Sequence, residues 1–124
     1  MSEPQTHLVI SLAKRFIEGV LELEPAFEKA YFRFQAEQRS YDACASYSTA
    51  GGVELVDALD SGEFIDGMAD LFVQLVAEIE TVPVLFLLVV DNNYDYEMKY
   101  EYDDLSKWAI TRMDGGTGVP AGLE

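Results

Sequence analysis

Between Val82 and Val90 the chain reads VPVLFLLVV, with no polar side chain on either parity. The run is too short to cross a bilayer as a helix. Its β-branched content and its length favour a strand. Successive strand residues point to opposite faces, so Val84, Phe86 and Leu88 form one apolar set and Leu85, Leu87 and Val89 the other. A strand of this kind belongs in a sheet that is covered on both sides. Helices can cover one face. The other face needs the C-terminal segment, a second copy of the chain, or a partner.

The next stretch has the opposite character. Tyr94 to Asp104 read YDYEMKYEYDD. Tyr94, Tyr96, Met98, Tyr100 and Tyr102 share one parity; Asp95, Glu97, Lys99, Glu101 and Asp103 share the other. Only a strand keeps those sets apart, with an aromatic face backed by an acidic one. Four tyrosines on one strand face are expected to pack as core against a helix, their hydroxyls reaching the rim. Asp91, Asn92 and Asn93 supply turn chemistry between the two strands.

The remaining pattern supplies helices and further strands. Val9, Leu12, Phe16, Val20 and Leu23 recur at helical spacing between Thr6 and Glu24, and Pro25 closes the segment. From Phe27 to Glu37, Ala30, Phe32, Phe34 and Ala36 alternate with Tyr31, Arg33, Gln35 and Glu37, as in a half-buried strand. Tyr41 to Ser48 alternates again and completes a hairpin. Gly51 and Gly52 break it, and Val53 to Leu59 can add a short third strand. Asp60 and Glu63 have capping-box spacing ahead of a broad apolar stripe from Phe64 to Ile79. Leu105 to Arg112 is expected to form a helical turn or a short strand. The sequence thus predicts an α+β two-layer sandwich, an antiparallel sheet of four to five strands with two main helices, in the order α-β-β-(β)-α-β-β. It forms a single domain over 1–124, with a flexible tail from about residue 114.

Composition narrows the function. Eight basic residues against 23 acidic ones give a formal charge of −15. Such a field repels nucleic acid and anionic membranes and attracts basic partners. Cys44 is the only cysteine, which favours a reducing compartment. The N-terminus opens with an acid and lacks the continuous apolar core and small-residue cleavage site of a signal peptide, so a cytoplasmic location is expected.

Few residues offer catalytic chemistry. His7, the sole histidine, lies near a terminus and suits an exposed or capping role better than that of a catalytic base. Cys44 has no neighbouring cation in sequence to activate it and reads as a packed thiol. Gly115, Gly116 and Gly118 lack the strand and helix that flank a phosphate-binding loop. Asp91, Asp95, Asp103 and Asp104 match no calcium-loop spacing and read as a solvated face. A small carboxylate hydrolase is the weakest of the available readings, and no catalytic, cofactor-binding or metal-binding residue is assigned.

The chain resembles the YezG-like (EsaG-like) immunity proteins of bacterial polymorphic toxin systems. The resemblance is carried by Pro25 followed by Phe27, Glu28, Lys29, Ala30 and Tyr31, and by Tyr100, Glu101, Tyr102, Asp103 and Asp104. The order of elements is similar from about Leu8 to Trp108. Phe27 stands where those proteins often have tryptophan, and this chain is shorter. The resemblance implies an antitoxin without catalysis of its own that binds and neutralises a cognate toxin, often a nuclease, by direct contact. Asp95, Glu97, Glu101, Asp103 and Asp104 are the expected partner-binding carboxylates, facing a basic toxin surface. The alternative is a homo-oligomeric adaptor or scaffold, a homodimer for example, whose self-interface is the second apolar face of the Val82–Val90 strand.

Overall fold

The computed structural model describes residues 3–38, 40–56, 62–110 and 118–120. Among them, two helices and five strands follow one another as α1 (Glu3–Leu23), β1 (Lys29–Ala36), β2 (Tyr41–Thr49), β3 (Gly52–Leu55), α2 (Gly62–Ile79), β4 (Val84–Asp91) and β5 (Tyr96–Glu101). The strands form one sheet in the order β3-β2-β1-β4-β5. Every neighbouring pair is antiparallel. The α+β plan and the element order are those the sequence predicts, with the short third strand present at Gly52–Leu55; residues 57–59 of its expected span lie outside the described residues.

Local chemistry sets the boundaries. At the end of α1 the Glu24 amide donates to the Val20 carbonyl at 2.7 Å, and Pro25 follows. At the end of α2, Glu80 takes a left-handed backbone (φ 59°) and its amide donates to the Val76 carbonyl. That is a helix stop most often made by glycine. Gly52, at φ 134°, turns the chain from β2 into β3. The expected cap residue Asp60 lies outside the described residues.

Both helices lie on one face of the sheet, α1 over β4 and α2 over β1 and β2. The even-numbered residues of the two central strands meet them. Ala30, Phe32, Phe34 and Ala36 of β1, with Val84, Phe86, Leu88 and Val90 of β4, join Leu12, Phe16, Val20, Met68, Phe72 and Leu75 in the core. The Phe72 ring is the hub of that layer, with centroids 5.3 Å from Phe32, 4.9 Å from Phe34 and 5.4 Å from Phe86. The helices pack closely because Gly19 leaves room for the Phe64 ring, which stacks on Phe16 at 5.9 Å.

The other face is closed as well. Leu85 and Leu87 are fully buried, and Tyr31 and Arg33 retain only 6 % and 8 % exposure. The cover is the chain's own C-terminal segment. The Arg33 guanidinium donates from Nε to the Lys107 carbonyl at 2.9 Å and from a terminal nitrogen to the Leu105 carbonyl at 2.5 Å. Further across the sheet, the Ser46 hydroxyl donates to the Gly118 carbonyl at 2.6 Å. Gly118 is buried at φ 91°, and a Cβ there would stand 2.8 Å from a Val53 methyl. The described parts of this segment, the strap, thus lie over Arg33 at residues 105 and 107 and against β2 and β3 at Gly118.

Two expectations change. Tyr31 and Arg33 are not on a wet face, because alternation along β1 reports two chemically different surfaces and not which of them meets water. Of the flexible tail expected from about residue 114, residues 114–117 and 121–124 lie outside the described residues, and Gly118 lies against β2 and β3. Of the stretch Leu105 to Arg112, residues 105–108 form a turn and not a strand, and 111–112 lie outside the described residues. His7 is exposed on α1.

Candidate protein-binding edge

Among the described residues β5 is the last strand of the sheet, so one of its edges has no strand beside it. Its alternation splits the side chains as the sequence indicates. Met98 and Tyr100 turn toward the helix-side core, and Tyr100 meets Phe86 edge-on at 5.4 Å. The other tyrosines do not become core. Tyr94, Tyr96 and Tyr102 remain 60 %, 46 % and 43 % exposed. The reason is position: α1 lies over β4, and among the described residues no helix sits directly above the margin of the sheet beyond it.

That margin forms a groove of about 440 Å³ between α1 and the start of β5. Ile10, Ala13, Ile17 and Leu21 line its helix side and Tyr94 and Tyr96 its strand side, with Lys14 and Glu18 completing it. The turn before β5 holds Tyr94 in place. The Asp91 carboxylate accepts the amides of Asn93 at 2.9 Å and Asp95 at 3.1 Å, and the Tyr94 amide donates to the Asp91 carbonyl. Tyr94 sits at φ 68°, a left-handed backbone that is costly for a bulky side chain.

The five expected binding carboxylates divide into two groups. Glu101 and Asp104 are turned to work within the chain. One Glu101 oxygen accepts Lys107 Nζ at 2.7 Å, and the other accepts the amides of Asp103 at 3.0 Å and Asp104 at 3.2 Å. The Lys107 hydrogen bond, then those two amides, lower the Glu101 pKa to about 2. The same ion pair raises Lys107. Asp104 accepts both the hydroxyl and the amide of Ser106, which lower its pKa. Together these bonds fix the turn from which the strap crosses to Arg33.

Asp95, Glu97 and Asp103 are exposed. Glu97 is 62 % exposed and pairs with Lys99 at 2.8 Å. Only Glu97 and Glu101 of the five stand within β5; Asp95 precedes it, and Asp103 and Asp104 follow. The acidic row is thus a short strand face with an acid beyond each end.

The other candidates remain without a site. Cys44 faces the strap side beside Arg33, half-buried; burial pushes its thiol up to about 11, and the Arg33 charge only partly opposes this. A thiol held that high stays protonated. Among the described residues there is no cluster of three or more histidine, cysteine or acidic side chains placed to hold a metal ion. Among them no helix is long and apolar enough to cross a membrane. No known protein-family model matches the chain, and no curated protein matches it either.

Sequence reading missed the groove and the role of Arg33. The groove needs the lateral offset of α1 from β5, which periodicity does not encode. Its trace in the sequence is the pair Tyr94 and Tyr96 directly after a turn, where a strand has barely begun. Arg33 left a fainter trace: it is a cation in the middle of the strand, between Tyr31 and Gln35 on the same parity.

Proposed function

We propose that this chain is an immunity protein that captures and neutralises a cognate toxin, a nuclease, by direct contact and without catalysis of its own. The observation that carries the reading is the edge of the sheet at β5. Exposed Asp95, Glu97 and Asp103 stand beside exposed Tyr94, Tyr96 and Tyr102 on a chain of charge −15. Aromatic groups bordered by charge are characteristic of protein-binding surfaces. A nuclease that grips phosphates presents a basic surface. Steering between such opposite fields raises association rates by roughly 10- to 1,000-fold and fades with salt.

The adaptor alternative drew on an apolar sheet face in want of a cover. Leu85 and Leu87 are buried within the chain itself, so that observation no longer favours it.

The test uses the toxic C-terminal domain of the large secreted protein that such systems encode just upstream. Mixed with this chain, that domain should elute as a stable complex and lose its nuclease activity. The Glu97→Lys variant should associate about tenfold more slowly at low salt and close to the normal rate at high salt. An active toxin domain that elutes separately from the chain refutes the proposal.

A further inference from the structure

The geometry points to a particular mode of capture: the outer edge of β5 takes up an extended segment of the partner, which adds to the sheet as a sixth strand and alternates apolar with basic side chains. The inference deepens the proposed function and rests on it for the identity of the captured protein. The first support is the backbone. The Asp91 amide donates to the Asp95 carbonyl at 3.1 Å, which turns the Asp95 carbonyl toward β4, while the Tyr94 amide takes the Asp91 carbonyl in the turn. Antiparallel alternation then aims the amides and carbonyls of Glu97, Lys99 and Glu101 at β4. Those of Tyr96, Met98 and Tyr100 face outward, free to form a ladder with an incoming strand.

The second support is the division of the two faces beside that edge. A strand added there lies about 4.8 Å further out, with its side chains in register with those of β5. Partner residues on the parity of Tyr96 and Met98 enter the apolar groove between Tyr94, Tyr96, Ile10, Ile17 and Leu21. Residues on the opposite parity face Glu97, with Asp95 and Asp103 at the two ends. Cross-strand pairs reward opposite charge and penalise like charge. An apolar–basic alternation is the pattern that satisfies both faces, and Lys99 marks the one position where an acid is accepted.

Charge also excludes a second copy as the occupant. Between residues 95 and 103 the far-face parity holds four acids and one lysine. Every antiparallel register that matches faces sets at least one acid opposite another, and each copy brings a charge of −15. The other sheet edge is a weaker competitor. β3 has four residues, and Gly118 of the strap already lies against Val53 and Leu55.

The experiment uses the purified chain and three labelled nine-residue peptides. One alternates valine or leucine with lysine. A second has the same residues in two blocks. A third is the alternating peptide with N-methyl groups on every second amide. Fluorescence anisotropy should show the alternating peptide binding about tenfold or more tightly than either control. Amide exchange followed by NMR should slow at Tyr96, Met98 and Tyr100 in its presence. Equal binding of the block peptide, no binding at all, or unchanged exchange along β5 overturns the inference. The outcomes also separate it from the functional reading. A toxin domain that binds while β5 exchange is unaltered sinks the sixth strand alone. A peptide that protects β5 while the toxin domain fails to bind sinks the toxin assignment alone.

Discussion

Replacing Arg33 with methionine should release the strap. The guanidinium makes two hydrogen bonds to the carbonyls of Lys107 and Leu105, at 2.9 and 2.5 Å, in a site where Arg33 is 8 % exposed. Hydrogen bonds to charged groups contribute about 1.5–3 kcal/mol each, so the gross loss is about 3–6 kcal/mol. Removing a buried cation returns part of its desolvation cost. Methionine keeps an apolar stem of similar length over Leu87 and Cys44, the register neighbours of Arg33. The two carbonyls lose their donors and recover hydrogen bonds only if the strap lifts into water. A net destabilisation of about 2–3 kcal/mol follows. Urea unfolding followed by circular dichroism should show the drop in midpoint, and limited proteolysis should cut faster within residues 104–110. Arg33→Lys should fall between, since a single ammonium lacks the two-pronged reach of the guanidinium. Lys99→Met, which removes a half-exposed cation from the same sheet face, is the control and should change little. An Arg33→Met protein with wild-type midpoint and wild-type cleavage rate would refute the clamp.

Two further outcomes test the turn chemistry on either side of β5. Glu101 titrates at about 2 in the folded chain against an ordinary 4.5. A depressed folded pKa stabilises the fold above the unfolded value, and that contribution disappears as pH falls from 4.5 through about 2. The stability gap between wild type and Glu101→Gln, measured by urea unfolding at successive pH values, should therefore be full at pH 6 and close towards pH 2; a gap constant with pH contradicts the assignment. At the other end, Tyr94→Asn places a residue tolerant of left-handed backbone at φ 68° and gives up little burial. Thermal unfolding should show a gain of about 0.5–1 kcal/mol, with weaker binding of the alternating peptide; a net loss of stability would mean that Tyr94 contributes more to the fold than its exposure indicates.

Side-chain period alone carried most of the architecture. The 3.6-residue stripe from Val9 to Val20 and the one from Ile65 to Leu75 name the buried faces of both helices, because a helix has a single stripe to hide. The run from Val84 to Val90 announced a strand covered twice, since neither of its parities tolerates water. Turn residues placed the hairpins. What local pattern left open was which partner meets each face. Tyr31, Arg33 and Gln35 look like a wet parity until a segment more than seventy residues downstream crosses them.

The acids near β5 show the same division. Their alternation with tyrosines is a local fact, determined by the two-residue period of a strand and legible without any structure. Whether each carboxylate faces a partner or the chain itself is decided by contacts that bring distant groups together. Glu101 is taken by Lys107 and two amides of its own turn, while Glu97 pairs only with Lys99 and stays 62 % exposed on the strand. The tyrosine parity divides for a related reason. Tyr100 lies beside Phe86 and packs on the core; Tyr96, four residues earlier, faces α1 across a gap and becomes the wall of a groove. The sequence by itself determined the strands, the helices and the charge. Only the tertiary structure decided which apolar face is closed and which edge stays open, because the offset of α1 and the path of the strap follow from how the layers pack together.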